Sequence, residues 1–470
     1  GVSGVARAVD AHLTLTLTPD PVGPCLRPRP HACARHGAFG AHLASHVRSL
    51  AFGGGIRLER LSMRHNALSD GHQIRLIEGG QAYFESLAQA LAQAQSHVLL
   101  ETYIFDFHGA ALIVAEALEK AAARGVNVWL LVDGVGTSNV PAPWRKRFDV
   151  AGVEWHVYSP LGALGLLIPS RWRRLHRKLC VVDGQMAFCG GINILDDWHD
   201  PHHGPLSQPR LDFAVGVQGD LVSHIEEAMS QLRLRLQSVE SVRRHQIPQA
   251  IRLFKTAGLT LPWQRNALHP KDGFAKGRAG LLLRDNLLHR GQIERAYLKA
   301  IGSARHEVLI ASAYFLPGRR LRQALVHAAQ RGVRVRLLLQ GRYEYFMQYH
   351  AAKPVYGALL AAGIEIHEYA PSFLHAKVAV VDPDNDRPWA TVGSSNLDPL
   401  SLLLAREANV VVADREFAQG LHRRLCHVID TQSTLVEMGV YSQRQWHQRV
   451  RDRIAFGLMR LALFLTGYRY

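Results

Sequence analysis

Apolar positions along this chain come in short, dense runs, and the runs come twice. Residues 97–105 read HVLLETYIF and residues 306–315 read HEVLIASAYF. Both are β-branched and aromatic at successive positions, which predicts strands buried on both faces. AAARGVNVWLLVDG (121–134) and AAQRGVRVRLLLQG (328–341) share a plan: a helix end, a glycine that stops it, and a second strand. AGVEWHVYSP (151–160) and AGIEIHEYAP (362–371) repeat the correspondence once more. Strand, helix and strand joined by short glycine turns predict parallel pairing through right-handed crossovers. The expected fold is α/β: two tandem α/β/α sandwich domains forming a pseudo-dimer, with one cleft shared between them.

The same patterning sets the expected boundaries. Residues 1–62 are rich in Ala, Gly, Pro, His and Arg without a sustained period of 2 or 3.6. They read as a mostly disordered arm, an extension upstream of the recognisable part that Met63 opens. Residues 63–245 form the first domain, 246–432 the second, and 433–470 a C-terminal amphipathic segment.

Composition adds two things. With 470 residues, 47% hydrophobic and 20% charged, the chain is long and apolar enough for two cores, and wholesale disorder is excluded. The net charge of +16 is carried mostly by arginine, which points to a polyanionic partner, a membrane surface or a nucleic acid, without choosing between them. Five cysteines, with Cys180 and Cys189 in strand-like runs and no metal-type spacing, fit a reducing compartment. No window of 18 apolar residues suggests a spanning helix, and the N-terminus lacks the layout of a signal peptide.

Chemistry concentrates in two copies of one motif. LHRKLCVVD places His176, Lys178 and Asp183, and LHAKVAVVD places His375, Lys377 and Asp382, each as H-x-K-x4-D. Residue frequencies make about 0.02 such matches the chance expectation. Two in register with a repeat are not coincidence. A lone strand histidine is more often a satisfied core residue than a catalyst, but the duplicated lysine-bearing context reverses that prior. Alternation along a strand predicts that the histidine and lysine of each motif share a face. Downstream, GGIN (Gly190 to Asn193) and GSSN (Gly393 to Asn396, with Ser394) suggest glycines that let backbone approach a phosphate and asparagines that bond it. Lysine, asparagine and backbone donors suffice to stabilise phosphoryl oxygens, so no metal or cofactor is required by this reading.

The paired motifs resemble the phospholipase D superfamily. ATVGSSNLDPLSLLLAREANV, ETYIF, ASAYFLPG and LHRKLCVVDGQMAFCGGIN are most similar to bacterial cardiolipin synthases of the B type, over about residues 74–435. The resemblance implies two displacements at phosphorus through a phosphohistidine, with His176 as nucleophile and His375 as acid and base. It implies that Asp212 in LDFAVGV and Glu407 in REANV orient the histidines, and that Asp183 and Asp382 are the structural members of the motif. It also implies phospholipid substrates, phosphatidylglycerol foremost, no nucleic acid, and a peripheral position on the cytoplasmic face of the bacterial inner membrane. Two departures stand out: Gly191 where many relatives carry serine, and ten residues between Asp382 and Gly393 against six between Asp183 and Gly190, read as a longer loop around PDNDRP.

Three further segments complete the reading. His199, His202 and His203 lie on a Pro/Gly loop without regular ligand spacing and are not read as a metal site. LGALGLLIPSRWRRLHRK (161–178) and RVRDRIAFGLMRLALFLTGYRY (449–470) combine apolar residues, aromatics and arginines, which suits a lipid headgroup zone; the alternatives are a buried loop with a solvated basic edge for the first and a helix packed on the core for the second. The same motifs also fit a hydrolase of lipid or nucleic acid, in which water takes the second step, and, more remotely, a silent anionic-lipid scaffold.

Overall fold

The computed structural model describes residues 68–243 and 275–465, except 138, 161, 163–171, 202, 286–288, 290, 343–345, 399–404 and 443–444. The N-terminal arm and the proposed boundary near residue 246 therefore lie outside the described residues.

The first half runs β1 (Ser69–Glu78), α1 (Gly80–Gln93), β2 (His97–Thr102), α2 (Leu112–Ala123), β3 (Asn127–Asp133), α3 (Ala142–Ala151) and β4 (Glu154–Tyr158). It continues through β5 (Arg174–Leu175), β6 (Lys178–Val182), β7 (Met186–Gly190), β8 (His199–Asp200), β9 (Gly204–Pro205), β10 (Phe213–Gln218) and α4 (Leu221–Arg243). The second half repeats the plan: β11 (Ala275–Arg284), α5 (Gln292–Ser303), β12 (Glu307–Ser312), α6 (Arg319–Gln330), β13 (Arg334–Gln340), α7 (Phe346–Ala361) and β14 (Glu365–Tyr369). Then follow β15 (Lys377–Val381), β16 (Trp389–Gly393), β17 (Ala405–Val412), α8 (Arg415–Gln432), β18 (Ser433–Leu435), α9 (Met438–Ser442) and α10 (Trp446–Leu465).

One sheet spans both halves, in the order β18-β14-β13-β12-β15-β16-β17-β11-β1-β10-β7-β6-β2-β3-β4. Apart from β18 the order is a palindrome about the antiparallel β11·β1 pair, so the repeat in sequence becomes a pseudo-twofold in space. The crossovers expected from the pattern are present, because β2·β3, β3·β4, β12·β13 and β13·β14 are parallel. The motif strands β6 and β15, which no crossover helix precedes, run antiparallel to both neighbours. The reason is local. β6 ends in the Asp183-Gly184 turn, where both residues have positive φ, 52° and 63°, and such a turn reverses the chain into a hairpin.

Glycine stops where the pattern placed them. Gly125 and Gly332 adopt φ of 91° and 87° after α2 and α6, a conformation that lets each chain turn directly into the next strand. Helices cover both faces of the sheet. On one face, α4 and α8 and strand residues of both halves, such as Leu179, Val215, Val378 and Val410, make one apolar cluster. On the other face the halves keep separate cores, one around Tyr83, Leu118 and Phe148 and one around Tyr297, Leu325 and Leu359. No helix among the described residues is long and apolar enough to cross a membrane.

Candidate active site

The two motif histidines meet where the halves join. His176 lies in the two-residue link between β5 and β6, and His375 just before β15, so each histidine precedes the strand that carries its lysine. Their placement depends on the opposite half. The backbone N–H of His176 donates to the Arg406 carbonyl at 3.1 Å, through the parallel β5·β17 pair. That of His375 donates to the Leu211 carbonyl at 2.9 Å. The next residue after each of these carbonyls is a carboxylate aimed at the imidazole. Nδ1 of His176 lies 3.1 Å from Glu407, and Nδ1 of His375 lies 2.6 Å from Asp212. Each histidine is thus oriented by the carboxylate of the other repeat.

Lys178 and Lys377 are buried beside them, and each ammonium donates to the carbonyl of its own motif histidine, Lys178 at 2.7 Å. The residue between histidine and lysine points away: Arg177 bonds the buried Glu101 at 2.8 Å and the Ala228 carbonyl at 3.1 Å. Asn193 accepts from the Ile104 N–H at 3.2 Å, while the buried Asn396 has a side-chain oxygen without a partner. An unpaired polar group at that depth costs about 1–3 kcal/mol unless a ligand satisfies it.

Gly190 and Gly393 are packing glycines. A Cβ at Gly190 would sit 2.5 Å from the Ala214 Cα, and one at Gly393 2.3 Å from the Asn409 side chain, so neighbouring strands fill the space assigned above to phosphate. The Gly191 departure has a steric cause: a Cβ there would come within 2.3 Å of the Asp212 carboxylate. At the equivalent position Ser394 donates from its hydroxyl to Glu407 and accepts from the Ala408 N–H at 3.1 Å.

The aspartates of the motif are not at the histidines. Asp183 and Asp382 stand at the far ends of β6 and β15, about 17 Å along the strand from the lysines. Asp183 accepts from the backbone N–H groups of Gln95, Ser96 and His97 at 2.8–2.9 Å, and Asp382 from those of Arg305, His306 and Glu307 at the same distances. His203 bonds Asp200, which also takes Arg210. Residues 163–171 of the apolar, arginine-bearing loop lie outside the described residues.

Comparison with known proteins places this geometry. Residues 87–199 and 297–429 match the family described as "Cardiolipin synthase, PLD-like domain". Cardiolipin synthase B of Escherichia coli K12 is 35% identical over 401 residues, covering 85% of this chain and 90% of the relative. The chain belongs to this phospholipase D-like cardiolipin synthase family. Cardiolipin synthase 1 of Staphylococcus epidermidis is 28% identical over 85% of this chain and 76% of its own. The fold is shared with phosphatidylserine synthase of Haemophilus influenzae, at a TM-score of 0.60 and 12% identity over 87% of this chain and 99% of that one.

The two dyads of this phospholipase D-like site differ electrostatically. Burial lowers the pKa of His176 and lowers that of His375 much further, with Lys377 and Lys178 adding to the second effect. Burial pushes Asp212 up to about 6 against the pull of Lys377. Burial also pushes Glu407 upward, but His176, Lys178 and the Ser394 hydroxyl outweigh it and hold the carboxyl below its ordinary value. Lys178 is lowered to about 7 by burial, so an incoming phosphate would restore its charge.

Sequence reasoning passed over two contributors. Tyr103 lies with its ring centroid 5.0 Å from that of His176, and the Lys178 ammonium is 5.5 Å from the same ring. Its signal was the mismatch in the repeat, where Ala313 stands at the equivalent place. Asp133 is fully buried and accepts from the Leu175 N–H at 2.7 Å and from Arg174 at 3.1 Å, fixing the peptide that leads into His176. Its partners are 41 and 42 residues away, and no spacing rule links them.

Proposed function

We propose that this protein is a phosphatidyltransferase, a cardiolipin synthase that moves a phosphatidyl group from one phospholipid, phosphatidylglycerol, to the hydroxyl of another. The observation that carries the reading is the crossed pairing of two histidines with two carboxylates at the junction of the halves 63–245 and 246–432. Kinship with cardiolipin synthases supports a lipid hydroxyl, in place of water, as acceptor. In this reading the protein works as a peripheral enzyme at the cytoplasmic face of the bacterial inner membrane.

His176 donates its Nδ1–H to Glu407, which leaves the Nε2 lone pair free to attack phosphorus. A P–N bond forms and the P–O bond to the leaving glycerol breaks, while His375 gives that oxygen its proton. The acceptor hydroxyl then passes its proton to His375 and attacks phosphorus, the P–N bond breaks, and His176 is regenerated. Lys178, Lys377, Asn193 and Asn396 stabilise charge on the phosphoryl oxygens. Burial and the two lysines disfavour the proton that His375 must carry as acid, and an anionic donor phosphate beside Lys178 and Lys377 offsets that effect.

The test uses purified protein with phosphatidylglycerol in mixed micelles. Wild type is expected to yield cardiolipin and glycerol in equal amounts, His375→Ala to lose about 10²–10⁴-fold in rate, and His176→Ala to lose at least that much. Rapid denaturation in base during turnover of a phosphate-labelled donor traps the label on His176. Label on His375, or phosphatidic acid in place of cardiolipin, overturns the assignment.

A further inference from the structure

Among the described residues, α10 packs on the rest of the molecule by one face. Its single acid, Asp452, is buried 2.7 Å from Nδ1 of the buried His350 on α7, Ala455 is 1% exposed, and Phe456 packs against the second-half core. The opposite face is different. Trp446, Val450, Ile454 and Leu458 are 75%, 43%, 58% and 52% exposed, and their spacing of four makes them one continuous stripe. With His447 and Arg451 they line a shallow groove of about 250 Å³. Scattered apolar side chains on a surface mean little, but these are not scattered. Six of the eleven large apolar side chains exposed among the described residues fall within residues 435–458.

Charge says what covers the stripe. By sequence α10 carries Arg449, Arg451, Arg453 and Arg460 against one acid, and that acid is buried 2.7 Å from His350, with Arg451 at 4.0 Å. Arg451 and Arg453 are exposed beside the stripe. An apolar stripe with a tryptophan at one end and flanking arginines matches the boundary between acyl chains and anionic headgroups. We propose that this face of α10 is a membrane-docking surface, with the stripe in the acyl boundary and the arginines on anionic headgroups, anchored to the catalytic body through Asp452 and His350. The proposal rests on the lipid reading of the active site and deepens it, since docking would present the cleft to substrate that never leaves the bilayer.

The full chain is compared with the triple variant Val450→Ser, Ile454→Ser, Leu458→Ser and with Trp446→Ala, a surface change at a 75% exposed position that is expected to leave the unfolding temperature unchanged. Flotation is measured with vesicles of phosphatidylglycerol and phosphatidylcholine, and of phosphatidylcholine alone, at low and high salt. Transfer in detergent micelles and the unfolding temperature are measured alongside. Wild type is expected to float on anionic vesicles and to be partly released by salt, because screening removes the arginine contribution and not the apolar one. The triple variant is expected to lose at least tenfold in partitioning and Trp446→Ala about threefold, with micellar transfer within twofold of wild type. The proposal is overturned if wild type does not float, or if both variants float as wild type does. It is also overturned if light scattering shows the triple variant turning a dimer into a monomer while flotation is unchanged, since the stripe would then bind a second copy. Micellar transfer absent in wild type, with flotation split as expected, would sink the transferase reading and leave the docking surface standing.

Discussion

Asp212 and Glu407 occupy the same place in the two repeats, yet their protons are held differently. Asp212 has room because residue 191 is glycine, and among the described residues no hydroxyl bonds it; Glu407 is one methylene longer and is bonded by Ser394. With its carboxyl pushed up to about 6, Asp212 becomes protonated as pH falls through that value and no longer offers His375 an anionic acceptor. Transfer in micelles is therefore expected to decline below about pH 6, and Asp212→Asn to be slower at all pH while losing that acid limb. An unchanged limb in the variant would assign it to another group. The stability sign is opposite: a carboxyl whose folded pKa is raised contributes less to stability as pH rises from about 4 to 6, because its charged form is what burial penalises. Ser394→Ala removes a donor from Glu407, and a loss of roughly 3–10-fold in turnover is expected, with an acid limb for the first step moving to higher pH. A pH profile identical to wild type would mean that Ser394 serves only packing.

At the scale of elements, the motif divides its labour along one strand. Its histidine and lysine end faces the junction, and its aspartate end ties the preceding helix-to-strand turn, three backbone N–H groups at a time, in both halves. Burial raises Asp183, but bonds from Ser96, Gln95 and His97 outweigh that and hold its carboxyl below the ordinary value. Asp183→Ala is therefore expected to cost about 2–4 kcal/mol in denaturant unfolding while leaving turnover per folded molecule within about threefold. Loss of turnover without loss of stability would place Asp183 in the chemistry after all. The longer loop of the second repeat is also an element-scale matter: residues 382–388 link β15 to β16 without displacing either strand from its counterpart's position in the sheet.

For the whole molecule, the decisive feature is that the halves share a sheet and one of its cores. Leu179 and Val215 from one half join Val378 and Val410 from the other in a single apolar cluster beneath α4 and α8. Neither half can complete a histidine–carboxylate pair, or cover that face, alone. Calorimetry is accordingly expected to give one cooperative transition in place of two, despite the tandem repeat. Two resolved transitions would show that the halves fold independently and meet afterwards.

Much of this was legible in the order of residues. Dense apolar runs marked the buried strands, Gly125 and Gly332 marked the helix stops, and duplicated motifs marked His176, Lys178, His375 and Lys377, because these signals are local and repeat at short fixed spacings. What remained hidden was long-range. His176 meets Glu407 across 231 positions and His375 meets Asp212 across 163, and nothing in either local pattern says that each histidine takes the carboxylate of the opposite half. That crossing is decided by the β11·β1 pairing, which sets one repeat against the other about a pseudo-twofold and brings the strand ends carrying the carboxylates beneath the partner repeat's histidines. The packing role of Gly190 and Gly393 and the one-sided seat of α10 are likewise matters of which surface lies opposite. Side-chain periodicity records which face is apolar, but only the folded chain determines what that face meets.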